Sequence, residues 1–134
     1  SGPKELYHNP NSIYTAQFVG TPQTNILDGR LPQGMKLGFR PEKVRLHTME
    51  EGEGINIPAS VQTKEMLGSE IIYSLDTSYG VIMCKSEDDV EDGAILMVGV
   101  KFDSMYLFGA DTMRLPFGEE EKKAVAAAFG EGKA

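Results

Sequence analysis

Apolar and polar residues alternate along most of this chain in short runs. Ile55, Ile57, Ala59 and Val61 are interleaved with Asn56, Pro58, Ser60 and Gln62, a period of two that gathers one set on a single face of a strand. Ile71, Tyr73 and Leu75 repeat the pattern, and Val81 to Cys84 return after a hairpin turn at Thr77-Ser78-Tyr79-Gly80. Leu96, Val98, Val100 and Phe102 alternate again, and Met105 to Phe108 predict a last short strand. Upstream, Asn25 to Leu31 reads as a short strand interrupted by a turn or bulge at Asp28-Gly29, and Pro32 to Gly34 as a tight turn. Leu37 to Leu46 reads as a turn feeding a strand. Gly38 supplies a backbone conformation closed to other residues, Pro41 fixes its own φ, and Val44 and Leu46 alternate with Arg45 and His47. Pro58 has no N–H for a ladder, which puts that end of its strand at an edge, and Gly68 is expected to break or bend the strand.

The two ends of the chain carry a different period. Pro3 and Glu5 fit the first turn of a short helix that stops before Pro10. A second follows, capped by Asn11 or Ser12, with Ile13, Ala16, Phe18 and Val19 as its apolar side and Gly20 as its stop. Helices this short are marginal alone and need a partner surface. At the other end, Glu119 to Phe129 has the strongest helix signal: three glutamates at the positive end, lysines spaced to pair with them, four alanines, and Gly130 as a C-terminal stop. Val125 and Phe129, four apart, form a narrow apolar stripe that predicts docking on the strand-rich body or on a second copy.

At 134 residues the chain is one domain with room for a sizeable core, and 40% hydrophobic residues can build it. Fifteen glycines and seven prolines agree with many turns and many short strands. The expected fold is mostly β: a small OB-like barrel or paired antiparallel sheets, with two short N-terminal helices and a short C-terminal helix. A net charge of −7 with no run of Lys or Arg argues against a nucleic-acid partner. One cysteine, Cys84, makes no internal disulfide, and no apolar run approaches the ~20 residues of a membrane span.

Four stretches of the chain resemble one family. Leu37-Gly38-Phe39-Arg40-Pro41-Glu42-Lys43-Val44-Arg45-Leu46 is similar to the L-G-x-R-P-E-x-V-R-L signature of the C-terminal accessory (TOBE/OB-type regulatory) domain of ABC sugar-importer ATPase subunits of the maltose/multiple-sugar type. Glu5-Leu6-Tyr7 through Pro10, Tyr14, Ala16, Phe18 to Pro22 and Asn25 resembles the segment that closes the ATPase domain in that family, with Asn11-Ser12 and Thr24 as departures. Glu65 to Glu70 resembles E-x-L-G-S-E, and Phe108, Thr112 and Arg114-Leu115 resemble the family's F-D-x-x-T-G-x-R-L ending, with Gly109 and Met113 differing. The resemblance implies three segments: residues 1–24 as the end of the ATPase domain with its linker helices, 25–118 as the accessory domain, and 119–134 as a C-terminal helix and tail. Ser1-Gly2 reads as an expression scar or the end of a severed linker.

Candidate chemistry is sparse. No G-x-x-x-x-G-K-[ST] loop is present to cradle phosphates; the resemblance implies that ATP and magnesium bind in an ATPase domain absent from this chain. His8, His47 and Cys84 are too few and too scattered for a structural zinc, and Cys84 reads as a small core hydrophobe. The run Glu87-Asp88-Asp89-Val90-Glu91-Asp92 lacks the spacing of a calcium loop and reads as a self-repelling hairpin loop. No tryptophan is available to stack a sugar, and the seven scattered methionines read as adaptable core filler. No catalytic, cofactor or metal residue is assigned, and no enzyme activity is expected of this stretch.

The turn-bearing signatures are the candidate interface: Phe39, Arg40, Pro41 and Glu42, with Leu67, Gly68, Ser69 and Glu70. The competing expectation is that Arg40 merely pairs with Glu42 or Glu70 to fix the turns. The resemblance implies a non-catalytic regulatory and dimer-interface domain of an ATP-hydrolysing importer subunit for sugars or related solutes. Its partners would be a second copy, membrane-spanning importer subunits reached through the ATPase domain, and a regulatory protein in some members. It would lie in the cytoplasm at the inner face of the membrane. The alternative reading is a free-standing OB-type domain that binds an oligosaccharide or other small ligand.

Overall fold

The computed structural model describes residues 12–13 and 22–129. Both expected N-terminal helices fall almost wholly outside those residues. Among the described residues, eight strands run β1 (Asn25–Leu27), β2 (Lys36–Phe39), β3 (Gly54–Leu67), β4 (Glu70–Thr77), β5 (Gly80–Ser86), β6 (Ile95–Lys101), β7 (Met105–Phe108) and β8 (Arg114–Leu115), followed by one helix, α1 (Glu119–Ala128). They form two four-stranded antiparallel sheets, in the orders β1-β2-β7-β8 and β5-β4-β3-β6. The mostly-β expectation holds, as paired antiparallel sheets with a C-terminal helix.

The alternating residues meet between the sheets. Leu27, Leu37, Phe39, Met105 and Leu107 from the first face Ile55, Ile57, Val61, Ile71, Tyr73, Leu75, Ile82, Val98 and Val100 from the second in one buried cluster. On the far side of the first sheet, Ile26, Tyr106 and Phe108 pack with Ile13. Gly38 sits mid-strand there without a positive φ, which corrects the expected role. It is needed for space: a Cβ would lie 2.9 Å from the Phe108 ring and 3.2 Å from Ile26.

Strand β3 carries two partners in succession. Gly54 to Ser60 pairs with β6 and Ser60 to Leu67 with β4, so Pro58 sits where only β6 is paired to it. Between Val61 and Thr63 the register slips by one residue, leaving Gln62 as a bulge that flips the side-chain phase. Gly68 breaks the strand rather than bending it: β3 ends at Leu67. With φ of 66° it opens the two-residue turn closing the β3–β4 hairpin, a conformation glycine adopts without strain.

The expected strand at Val44 to His47 does not form. Pro41–Lys43 is a 3-10 turn, and beyond it only Arg45 makes a bridge, to Gly99. The alternation is real, but each residue serves a different neighbour. The tail helix forms as its composition predicts. Glu121 accepts a hydrogen bond from the Gly118 N–H at 2.9 Å, and Lys122 pairs with Glu119 at 3.2 Å. Val125 and Phe129 are fully buried, with Phe129 edge-on to Tyr79 at 5.0 Å between ring centroids.

Candidate functional site

The signature Leu37–Leu46 begins as a strand and ends as a strap across the second sheet. Phe39 is fully buried in the core, and Pro41 is buried as the first residue of the turn. Arg40 points inward, only 4% exposed, and its Nη1 donates to Thr24 Oγ1 at 3.1 Å. Its Nε donates to Glu42 at 3.4 Å, and Nη2 lies 3.4 Å from the other carboxylate oxygen. A nearly dry guanidinium needs such partners, since an uncompensated buried charge is strongly unfavourable. Arg40 therefore fixes the turn from within.

Past the turn, the strap spans the second sheet. The Cys84 thiol donates to the Val44 carbonyl at 3.4 Å, on β5. The Arg45 N–H and carbonyl exchange two 2.8 Å hydrogen bonds with Gly99, on β6. Gly99 has to be glycine, because a Cβ would stand 2.7 Å from the His47 carbonyl. Between the strap and the ends of β4 and β5 lies a cleft of about 330 Å³. Glu42, Arg45 and His47 line one wall, with Glu70, Lys85 and Asp88 opposite. Lys85 pairs with Glu70 at 3.4 Å.

The fold thus brings Glu42 and Glu70, one from each signature, to a shared cleft. Leu67, Gly68 and Ser69 stand at the hairpin tip, where Met66 is 60% and Leu67 51% exposed. Charges of both signs beside two exposed apolar side chains suit contact with another surface. They do not form a nucleophile with its base. A larger hollow of about 500 Å³ lies beside α1, between Phe102 and Lys122, Lys123, Ala126 and Ala127.

Cys84 is fully buried and its thiol is pushed up to about 12 by burial, so it stays protonated and weakly nucleophilic. In the acidic loop, Tyr73 donates to the Asp88 carbonyl and accepts from the Val90 N–H at 2.8 Å. Lys64 Nζ reaches Asp89 at 2.6 Å, and that hydrogen bond raises the lysine pKa. The loop is held by a tyrosine and a lysine. Among the described residues no three His, Cys, Asp or Glu side chains gather closely enough to hold a metal ion.

Two asparagines escaped the sequence reading. Asn25 Nδ2 donates to the Met83 carbonyl at 2.9 Å while its Oδ1 accepts from the Met83 N–H at 2.8 Å, tying β1 of one sheet to β5 of the other. Asn56 does the same to Met49, at 3.0 and 2.6 Å, holding the loop that leads into β3. Asparagine is uncommon inside strands, and apart from the place of Asn25 in the family pattern that is the only local signal either residue offered.

The chain is 27% identical to an sn-glycerol-3-phosphate import ATP-binding protein UgpC of Vibrio vulnificus, over 88% of this chain and 38% of that protein. It is 30% identical to the Brucella abortus protein of the same name, over 84% of this chain and 37% of the relative. The Salmonella typhi protein is 33% identical over 51% of the chain. The chain therefore spans under two fifths of the length of the first two relatives. A family model for the TOBE domain matches residues 37–108, which hold β3 to β7, nearly all of β2, the strap and both signatures, and this chain belongs to the TOBE domain family.

Proposed function

We propose that this chain is the non-catalytic accessory domain of an ATP-hydrolysing importer subunit, serving contacts rather than chemistry. What carries the reading is the TOBE match over both signatures, joined to similarity with import ATP-binding proteins across more than four fifths of the chain. Residues 1–24 would end the ATPase domain, 25–118 form the accessory domain, and 119–134 add the helix and tail. ATP and magnesium would bind in the ATPase domain, and the transported solute would be a sugar or a related compound such as the relatives' sn-glycerol 3-phosphate. The subunit would work in the cytoplasm, held to the membrane through its membrane-spanning partners.

The corner formed by Leu67 to Glu70 with Glu42 would be a contact surface for regulation, touched by a second copy or a regulatory protein. Phe39, Arg40 and Pro41 would support it from beneath. Calorimetric titration of this chain with ATP and magnesium should give no binding, and tight magnesium-dependent binding would overturn the non-catalytic reading. In the full subunit, Leu67→Asp with Glu70→Lys should lower solute uptake while nucleotide binding stays intact. Unchanged uptake would remove the corner from the contact role.

A further inference from the structure

The two edge strands of the β5-β4-β3-β6 sheet are finished differently. On β5, the Asn25 carboxamide takes both the N–H and the carbonyl of Met83. On β6, Arg45 takes both groups of Gly99. That pair sets the phase of the whole strand. Hydrogen-bonding direction alternates along an antiparallel ladder, so Met97 and Ile95 also turn their N–H and carbonyl groups away from β3. Pro58, with no N–H to give, stands opposite Met97, as this phase allows. Among the described residues, nothing bonds those outward groups of Ile95 and Met97.

Such edges are ordinarily guarded by a charge, a proline or a bulge. The stretch Ile95-Leu96-Met97 has none, and Ile95 is 86% exposed, the highest value among the exposed large apolar side chains of the described residues. We propose that the Ile95–Met97 edge of β6 is a strand-addition site for a second copy of this chain, the two β6 strands pairing antiparallel about a two-fold axis. This deepens the contact role proposed above and rests on it for the supply of a second copy.

One register satisfies the geometry. With Ile95 of each copy opposite Met97 of the other, both outward pairs are used, giving about four backbone hydrogen bonds. The two-fold axis then brings Gly93 of one copy level with Gly99 of the other, where Arg45 stands. Gly93, with φ of 80°, turns each chain off the strand at that point. Glu91 and Asp92 of each copy are carried towards Arg45 and Lys101 of the other. That reciprocal charge match singles out a second copy over an unrelated extended peptide. A contact of two residue pairs is far below the ~1,200 Å² of a stable interface, so it acts as a weak clasp, effective once two copies are held close.

Sedimentation of this chain from about 10 μM to about 1 mM, with hydrogen exchange at the same concentrations, tests the proposal. Association should rise with concentration, and the Ile95 and Met97 amides should become protected as it does. Ile95→Lys should weaken association about tenfold or more with an unchanged melting temperature. Met97→Pro removes only an outward N–H and should act alike; if it fails to fold, Ile95→Lys carries the test. Association that Ile95→Lys leaves intact overturns the edge and spares the contact role, which then falls to the corner. A chain that stays monomeric throughout, with both amides exchanging freely, overturns the edge, while uptake by the Leu67→Asp/Glu70→Lys subunit still tests the corner.

Discussion

Replacing Asn25 with alanine isolates the tie between the two sheets. The carboxamide is 7% exposed and makes two hydrogen bonds of 2.9 and 2.8 Å to one backbone unit, that of Met83. Each bond contributes about 1 kcal/mol net, and truncation adds a further penalty because the Met83 N–H and carbonyl are left short of partners. Met83 lies at a partly exposed edge, so water recovers some of that penalty. The expected loss is about 2–3 kcal/mol, a large share of the 5–15 kcal/mol that holds a domain of this kind. At about 3–6 °C per kcal/mol for this size, the melting temperature should fall by roughly 6–18 °C. Chemical denaturation with an unchanged m-value gives the free energy directly, and hydrogen exchange at the Met83 amide reports the local opening. Asn25→Asp keeps the shape and the acceptor but points a second acceptor at the Met83 carbonyl, and should lose at least as much near neutral pH. A loss below about 0.5 kcal/mol for Asn25→Ala, with Met83 exchange unaltered, would refute the claim that this side chain joins the sheets.

Three further perturbations follow from the same geometry. Arg40→Glu should abolish folding or cost more than about 3 kcal/mol, because it puts an unpaired carboxylate in the buried Arg40 position, facing the partly exposed Glu42; a stable variant that only loses association would return Arg40 to the surface role. Phe129→Ala should cost about 3–5 kcal/mol and unprotect the amides of Lys122 to Ala128 in hydrogen exchange, since it empties the seat of α1 beside Tyr79; retained protection would mean the helix is held by other contacts. Cys84 should resist thiol reagents until the chain unfolds. Its thiol is raised from 9.0 to about 12, so the folded state binds the proton more tightly and stability should decline as pH rises from about 9 to about 12. Rapid labelling at pH 8 in the native state would contradict that burial.

The sequence by itself determined the faces. Period-two alternation at Ile55 to Val61, Ile71 to Leu75 and Leu96 to Phe102 follows from the covalent geometry of a strand, and each inward set reached the core except Leu96, which packs against it partly exposed. The hairpin turn at Thr77–Gly80 and the helix Glu119–Ala128 were legible for the same local reason, as was the family pattern carried by Leu37–Leu46. Tertiary structure decided which faces meet and what each polar residue does. Arg40 carries the same sequence signal whether it reaches a partner protein or Thr24, and only the fold buries it. Val44 to His47 alternate as a strand would, yet the gap between β5 and β6 turns them into a strap. The Gln62 bulge reverses the phase of β3 and sends Lys64 to the acidic loop, a change no window of sequence displays. Asn25 and Met83 are 58 residues apart, and a hydrogen bond across that separation leaves no periodic trace in the chain. Local geometry fixes what a residue can present, while its partner is set by chain closure, which depends on every strand at once.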